Sequence, residues 1–475
     1  VSSRAPAGAA AGSRLTSRGS QALSFRSLAF LFAAVTLADT LRLTQWHASD
    51  DSFELAALCF ALLLVGVSVN RLPAFEDWFR PAVVPLLALA FALYVRIWQG
   101  NGPGDDPVYA PLVTATAVLL GIGLVGNRAI ERWRVPLLLA VHAGLGVWRI
   151  QASPSPHIDV WVWHNEAIEA LFAGKNPYAI TMPNIYDGPQ FYDPTMVVNG
   201  RVLTGYQYPP LSLLFAIPGY VLGGDYRYSE LFAMTVAGGC MAYARLGTLG
   251  ASAMALWLFS PGCLFVLEQG YTEPMLVMLV AATLLCAVRR PGWLFVPLGL
   301  LFAAKQYMFV ITAPLIWLLP WPDQTPRAQW RLLLRAAAVA TAVTLPFFVI
   351  NPKALFDCLV LLQLRQPFRL ESLSVPAWWM NHYGKRLPDW LGFASILPFS
   401  ALALRRSERS AAGFAAGLAL VSFAFFVLSK QAFSNYYFFN LGAICCAVAF
   451  AGIEPSPALT QPAAKPVLPT VSLDP

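Results

Sequence analysis

Apolar stretches of roughly 13 to 20 residues recur about fifteen times along the 475-residue chain, separated by short basic or Pro/Gly-rich links. Such runs constrain the fold more than any motif, because backbone groups placed in hydrocarbon must find partners within their own segment. The runs do not alternate polar and apolar residues, so a β-barrel is excluded and an all-α polytopic membrane bundle is expected. Apolar residues make up 57% of the chain and charged residues 12%, a composition suited to lipid contact. The formal charge of +7 comes from Arg scattered at segment ends, so nucleic acid is not the implied partner. Membrane lipids are.

Loop charge gives a topology. Links 70–80 and 127–134 carry Arg71, Arg80, Arg128, Arg132 and Arg134, whereas 47–54 and 99–107 carry only acidic charge. By the positive-inside rule the N-terminus is cytoplasmic, and the fifth crossing, 135–150, delivers the interval 151–210 to the outer face. Continuing this count predicts about fourteen crossings plus a re-entrant piece at 211–222, which is short and carries Pro218 and Gly219. The expected divisions are a disordered cytoplasmic tail at 1–26, four extra N-terminal crossings within 27–134, and a catalytic core at 135–452. That core has outer loops at 151–210 and 351–389, and a second disordered tail follows at 453–475. The seven Cys lie in or beside apolar runs and read as small packing residues.

The outer interval is the longest polar-capable stretch and the place where chemistry outside the bilayer can sit. DVWVWHNEAIEALFAG, from Asp159 to Gly174, predicts an amphipathic helix in the outer interface, with Val160, Trp163, Ala167, Ala170 and Leu171 along one face. Asp159 and Glu166 are seven apart and share a side of it. A purely structural helix would not require an acid at the membrane exit, which singles out Asp159 as a candidate base. Glu268, Gln269 and Glu273 flank a helix junction where they could orient hydroxyls or pair with Lys305, though solvation of helix ends would also account for them. Lys305-Gln306-Tyr307 and Lys430-Gln431 interrupt apolar sequence beside aromatics; with Arg365, Arg369, Lys385 and Arg386 they are candidate cations for a phosphate. Each also has the plainer reading of snorkelling at a membrane end. Asp187 and Asp193 read mainly as turn formers. His157, His164 and His382 have no metal spacing, and neither a metal nor a cofactor is suggested. PAWWMNHY, 376–383, reads as an interfacial anchor on the second outer loop or as a platform for a lipid chain or sugar.

Asp159 just after a crossing, Gly174-Lys175-Asn176-Pro177-Tyr178, and Tyr206-Gln207-Tyr208-Pro209-Pro210-Leu211 together resemble the pattern of GT-C glycosyltransferases that use polyprenyl-phosphate sugars. Leu258 to Pro261, Glu268-Gln269-Gly270, Glu273 and Lys305-Gln306-Tyr307 continue it in order. The likeness runs from about 135 to 450, is strongest to bacterial polyprenyl-phosphate-mannose-dependent mannosyltransferases, and leaves the first four crossings without a role. It implies an inverting enzyme of the extracytoplasmic face with Asp159 as general base. Glu166, Tyr208, Glu268, Gln269, Glu273, Lys305, Gln306, Arg369, His382 and Lys430 would then bind substrate. The implied partners are a polyprenyl-phosphate-linked sugar donor, mannose foremost, and a lipid or glycan acceptor of the envelope. Independently, glycosyl transfer needs a carboxylate to take the acceptor proton and cations to receive the departing phosphate. A single base with a phosphate leaving group makes inversion the simplest outcome. The competing reading is a transporter or flippase for a lipid-linked or hydrophilic solute; charges gathered at the outer exits rather than mid-segment speak against it. Val1, read as a literal translation of an alternative bacterial start codon, points to a bacterial plasma membrane.

Overall fold

The computed structural model describes residues 25–44, 48–68, 128–186, 188, 191–244, 248–320 and 325–453, with four isolated positions between 111 and 119. The expected crossings at 81–98 and 108–125 lie outside these residues apart from those isolated positions, and so do the expected tails except at 453 and at Phe25 and Arg26, which already belong to the first helix.

The described chain is almost wholly helical. A hairpin of α1 (Phe25–Thr44) and α2 (Asp50–Ser68) is followed by α3 (Arg128–Ala152), the short α4 (Asp159–Phe172), α5 (Pro210–Gly223), α6 (Arg227–Ala244), α7 (Thr248–Leu258), α8 (Pro261–Glu268) and α9 (Glu273–Arg289). Then come α10 (Phe295–Ala304), α11 (Met308–Thr312), α12 (Pro326–Ile350), α13 (Pro352–Phe356), α14 (Leu362–Arg365), α15 (Val375–Tyr383), α16 (Leu391–Arg406), α17 (Ala411–Val427) and α18 (Ser434–Ala449). Three two-residue strands in the loop after α4, paired antiparallel in the order Met182–Pro183, Arg201–Val202, Val197–Val198, are the only strands among the described residues. Helix α17 has no polar face at all and is buried nearly end to end, as is α18 beside it. Gly442 lets α18 approach α9: a Cβ there would stand 2.4 Å from a Val277 methyl.

Helix α12 shows the opposite arrangement. Leu334, Val349 and Ile350 are 65%, 69% and 68% exposed, and only 11% of its apolar window is buried. An apolar surface of this extent is not tolerated in water and fits lipid. Among the described residues four helices, α1, α2, most of α3 and α12, are long and apolar enough to cross a membrane, or five if α7 and α8 form one broken span. The expected count of about fourteen therefore differs from the number of full-length apolar helices. Several expected crossings are shorter helices instead: α17 has 17 residues and α18 has 16, roughly 25 Å of helix. The expected single crossing at 251–267 is bent by 52° at Ser260–Pro261, because proline cannot continue the hydrogen-bond ladder. The aromatic run PAWWMNHY is not loop but α15, capped by Ser374, whose hydroxyl accepts from the Ala377 N–H.

Contacts between helix ends fix which ends lie together. Arg26 pairs with Glu408 at 3.4 Å, and Arg289 donates to the carbonyls of Tyr243 and Ala244. At the other end, the Ala48 N–H donates to Glu371, Arg227 reaches the carbonyls of Ser153 and Glu268, and Gln306 reaches that of Gln207. Acidic Asp50, Asp51 and Glu54 share the Asp159 end, while Arg289, Arg290, Arg405, Arg406 and Arg409 share the opposite one. That is the relative sidedness which loop charge predicts. Both ends of α5 are tied to the Asp159 end, through Ser212 to the Ala304 carbonyl and through Asp225 to the Trp161 indole.

Candidate functional site

Helix α4 begins where Pro154 and Pro156 have ended α3, and Ile158 in extended conformation hands the chain to Asp159 as the first helical residue. A carboxylate is favoured there by the partial positive charge of the helix N-terminus. Asp159 Oδ1 accepts from the Val160 N–H at 2.8 Å, and Oδ2 accepts from the Tyr192 hydroxyl at 3.0 Å. The Asp159 N–H, an orphan donor of the first turn, is satisfied by the Tyr186 hydroxyl at 3.1 Å. Burial raises the Asp159 pKa above the ordinary carboxylate range; the Tyr192 and Val160 bonds and the Arg369 charge offset part of that rise. The residue as a whole is half-buried.

Arg369 belongs to the second outer loop. It pairs with Glu371, and its guanidinium lies 4.5 Å from the Phe191 ring and 5.1 Å from the Phe433 ring. Planar and weakly hydrated, it is suited to such a position and to two-point contact with a phosphate. Tyr186 and Tyr192 thus bond Asp159, and Arg369, whose charge acts on it, is packed between Phe191 and Phe433 from two other parts of the chain.

Beneath them lies a buried polar layer. Lys305 pairs with Glu273, whose Oε1 also accepts from Asn435 at 2.9 Å, and the ammonium is 5.8, 5.9 and 5.2 Å from the rings of Tyr208, Tyr307 and Tyr436. Glu273 Oε2, Thr272 Oγ1 and Tyr307 Oη are buried with no hydrogen-bond partner among the described residues. Burial pushes the Tyr208 and Tyr271 phenols well above their usual range, and the charges of Asp159 and Glu273 add to both shifts. Two carboxylates therefore act on one tyrosine-lined region. Aromatic faces interspersed with acceptor oxygens are the chemistry that holds a sugar ring.

His164 supports this region. Its Nδ1 bonds the Val160 carbonyl at 2.8 Å, its Nε2 bonds the Tyr206 hydroxyl at 2.8 Å, and its ring stacks on Tyr226 at 4.3 Å. Burial pushes its pKa down to about 4, with Lys305 also lowering it, so it is neutral and its carbonyl bond fixes the proton on Nδ1. The Tyr226 hydroxyl in turn donates to Gly270, whose φ of +67° and near contact with that hydroxyl leave no room for a side chain.

Of the residues expected at a site, Asp159, Tyr208, Glu273, Lys305 and Arg369 come together. Gln306 is close by and holds the Gln207 carbonyl at 2.7 Å. Glu268 does not pair with Lys305; it binds Arg149 at 2.5 Å, across from the fully buried Arg227, which clamps Asp225 and the chain around 150–153. Gln269 is the buried C-cap of α8. Lys430 donates to the carbonyls of Leu364 and Gln366 at 3.1 and 3.0 Å, closing the C-terminal end of α14. His382 is exposed and lies 3.6 Å from Asp50. Glu166, half-buried, takes no part in these hydrogen bonds. Asp193 caps a turn by accepting from Thr195, and Asp187 lies outside the described residues. Tyr192, Tyr186, Phe191, Glu371, Asn435 and Tyr271 escaped sequence reading; the aromatic density of the loop after α4 was the only signal. Among the described residues no three metal-ligating side chains converge.

No family model matches the chain, and no curated protein matches it. Among solved structures it is similar to the crystal structure of ArnT from Cupriavidus metallidurans bound to undecaprenyl phosphate, at 17% identity over 66% of this chain and 59% of that one, with a TM-score of 0.42.

Proposed function

We propose that the chain is an inverting glycosyltransferase of a membrane's outer face, moving a sugar from a polyprenyl-phosphate donor to a lipid- or glycan-type envelope acceptor. The observation that carries this reading is Asp159 itself: a half-buried residue at the start of α4, its carboxylate held by Tyr192 and Val160 and acted on by the Arg369 charge, close to a tyrosine-lined region. Asp159 takes the proton of the acceptor hydroxyl as its oxygen attacks the anomeric carbon. The bond from that carbon to the phosphate oxygen breaks, and the phosphate leaves with the electron pair. A raised pKa suits a base working near neutral pH, because proton affinity and ionised fraction are then both substantial. Arg369, free to exchange Glu371 for the donor, receives the phosphate charge. Glu273, Tyr208 and Tyr271 face the sugar. Mannose is the first sugar to test, on the sequence resemblance alone, and a bacterial plasma membrane is the expected location.

A carrier would place ionisable groups along its path through the bundle. Among the described residues the buried charged side chains Arg149, Arg227, Glu230, Glu273 and Lys305 all sit at the Asp159 end, and Arg134 at the opposite one. The test is purified protein given polyprenyl-phosphate mannose, other polyprenyl-phosphate sugars and nucleotide sugars, with donor consumption and product anomer followed. Transfer with inversion that is lost in Asp159→Asn is expected. Movement of donor across a vesicle membrane without its consumption would support the carrier.

A further inference from the structure

We infer that Tyr192 is a positioning residue for the base, its hydroxyl holding the Asp159 carboxylate in one rotamer and in its anionic form. The inference rests on the reading of Asp159 as base. An ionised carboxylate offers about four acceptor sites. The Val160 N–H and the Tyr192 hydroxyl occupy two, one on each oxygen. The Tyr186 hydroxyl accepts from the backbone N–H, and its own proton is directed to the same carboxylate, where it adds a weaker contribution than Tyr192. At least one acceptor position is then left for an acceptor hydroxyl, and Asp159 as a whole is half-buried.

Tyr192 is itself fixed. It is 4% exposed, and its ring stacks on Trp163 at 5.9 Å and 17°, one helical turn beyond Asp159 on the same helix. Tyr186 stacks beside it at 6.2 Å and on Phe191 at 4.2 Å, and Phe191 carries the Arg369 guanidinium. Ring packing therefore determines where the hydroxyl points, and the hydroxyl determines where Oδ2 sits. The donated bond favours the ionised form against the burial that opposes it.

Tyr192→Phe keeps the ring and deletes only the hydroxyl. Two readouts are taken on full-length protein: the pH profile of turnover, and modification of Asp159 by a hydrophobic carbodiimide, which reacts with the protonated carboxyl, followed by peptide mass spectrometry. Loss of one hydrogen bond to a charged group predicts that the labelling midpoint and the acid limb both move up by about one to two pH units. The loss of turnover at neutral pH should be about tenfold or more, recovered at higher pH, with donor KM within about twofold. An unchanged labelling midpoint overturns the role of Tyr192 whatever the rates do. Normal turnover in Asp159→Asn overturns the base reading separately, and leaves the labelling result to stand or fall alone.

Discussion

Lys305→Ala distinguishes a phosphate-binding lysine from one that holds the protein together. Lys305 is 5% exposed and its partner Glu273 is fully buried, with Asn435 the other donor to Oε1 and no partner for Oε2 among the described residues. Removing the ammonium leaves an uncompensated charge among tyrosine rings. Breaking a buried pair from one side costs about 3 to 5 kcal/mol, while replacing both partners together is often close to neutral. Lys305→Ala and Glu273→Gln should each destabilise by about that amount. Lys305→Met with Glu273→Gln should return to within about 1 kcal/mol of wild type, because methionine can pack against the three rings and glutamine still accepts from Asn435. Denaturant unfolding in mixed micelles can be followed with a thiol-reactive dye, since all seven cysteines are free and are buried or half-buried. Single variants costing under about 1 kcal/mol each, with an additive double, would refute the buried pair and restore a snorkelling lysine. Until stability is measured, a loss of activity in Lys305→Ala cannot be assigned to the donor phosphate.

The other expectations are simpler. Asp159→Asn should reduce turnover about 10²- to 10⁴-fold with expression preserved, and Glu166→Gln should cost far less; equal effects in initial-rate assays would demote Asp159. Because the folded-state pKa of Asp159 is raised and the base works ionised, turnover should climb with pH through a midpoint above the ordinary carboxylate range. A rate already flat at pH 4 would contradict the burial. For topology, Val198→Cys should label with impermeant thiol reagents from outside and Arg409→Cys only after permeabilisation. Phe53→Ala, which removes a ring 6.4 Å from Trp378 at the junction of α2 and α15, should loosen the loop that carries Arg369 and raise donor KM several-fold with little change in kcat.

Periodicity and charge revealed the sequence-local features. The amphipathic α4 buries Val160, Trp163, Ala167 and Ala170 as the spacing predicts, with His164 and Ile168 added and Leu171 less covered. The apolar sequence that Lys305-Gln306-Tyr307 interrupts forms helices α10 and α11 on either side of it, and the turn at Glu268 to Glu273 separates α8 from α9. What stayed hidden depends on which distant stretches meet. Lys430 and Lys305 have the same local signature, a lysine and glutamine between apolar runs, yet one binds two carbonyls and the other a buried glutamate. Nothing within a few residues of either could separate them. Glu268 and Glu273 likewise differ only in which cation faces them, Arg149 or Lys305.

The N-terminal hairpin, outside the sequence resemblance, acquires a place by the same reasoning. Helix α1 packs along α18, whose first turn contributes Asn435 to Glu273, while the link into α2 gives the Ala48 N–H to Glu371, the partner of Arg369. Both halves of the candidate site are thus braced from one hairpin: the buried pair through α18, and the arginine through a backbone bond and the Phe53 contact with Trp378. A chain lacking this hairpin would lose Leu28, Leu31, Leu37 and Leu41, all nearly inaccessible now, and would uncover the core surface they pack on, which lipid could cover. Lipid tails can replace that packing, whereas water or a headgroup taking over the Glu371 carbonyl would no longer tie the loop to a helix. The hairpin's contribution to the site is therefore expected at the Arg369 loop more than at the buried pair. Removing residues 1–68 should accordingly raise donor KM more than it lowers stability; the reverse order would assign the hairpin to the core alone.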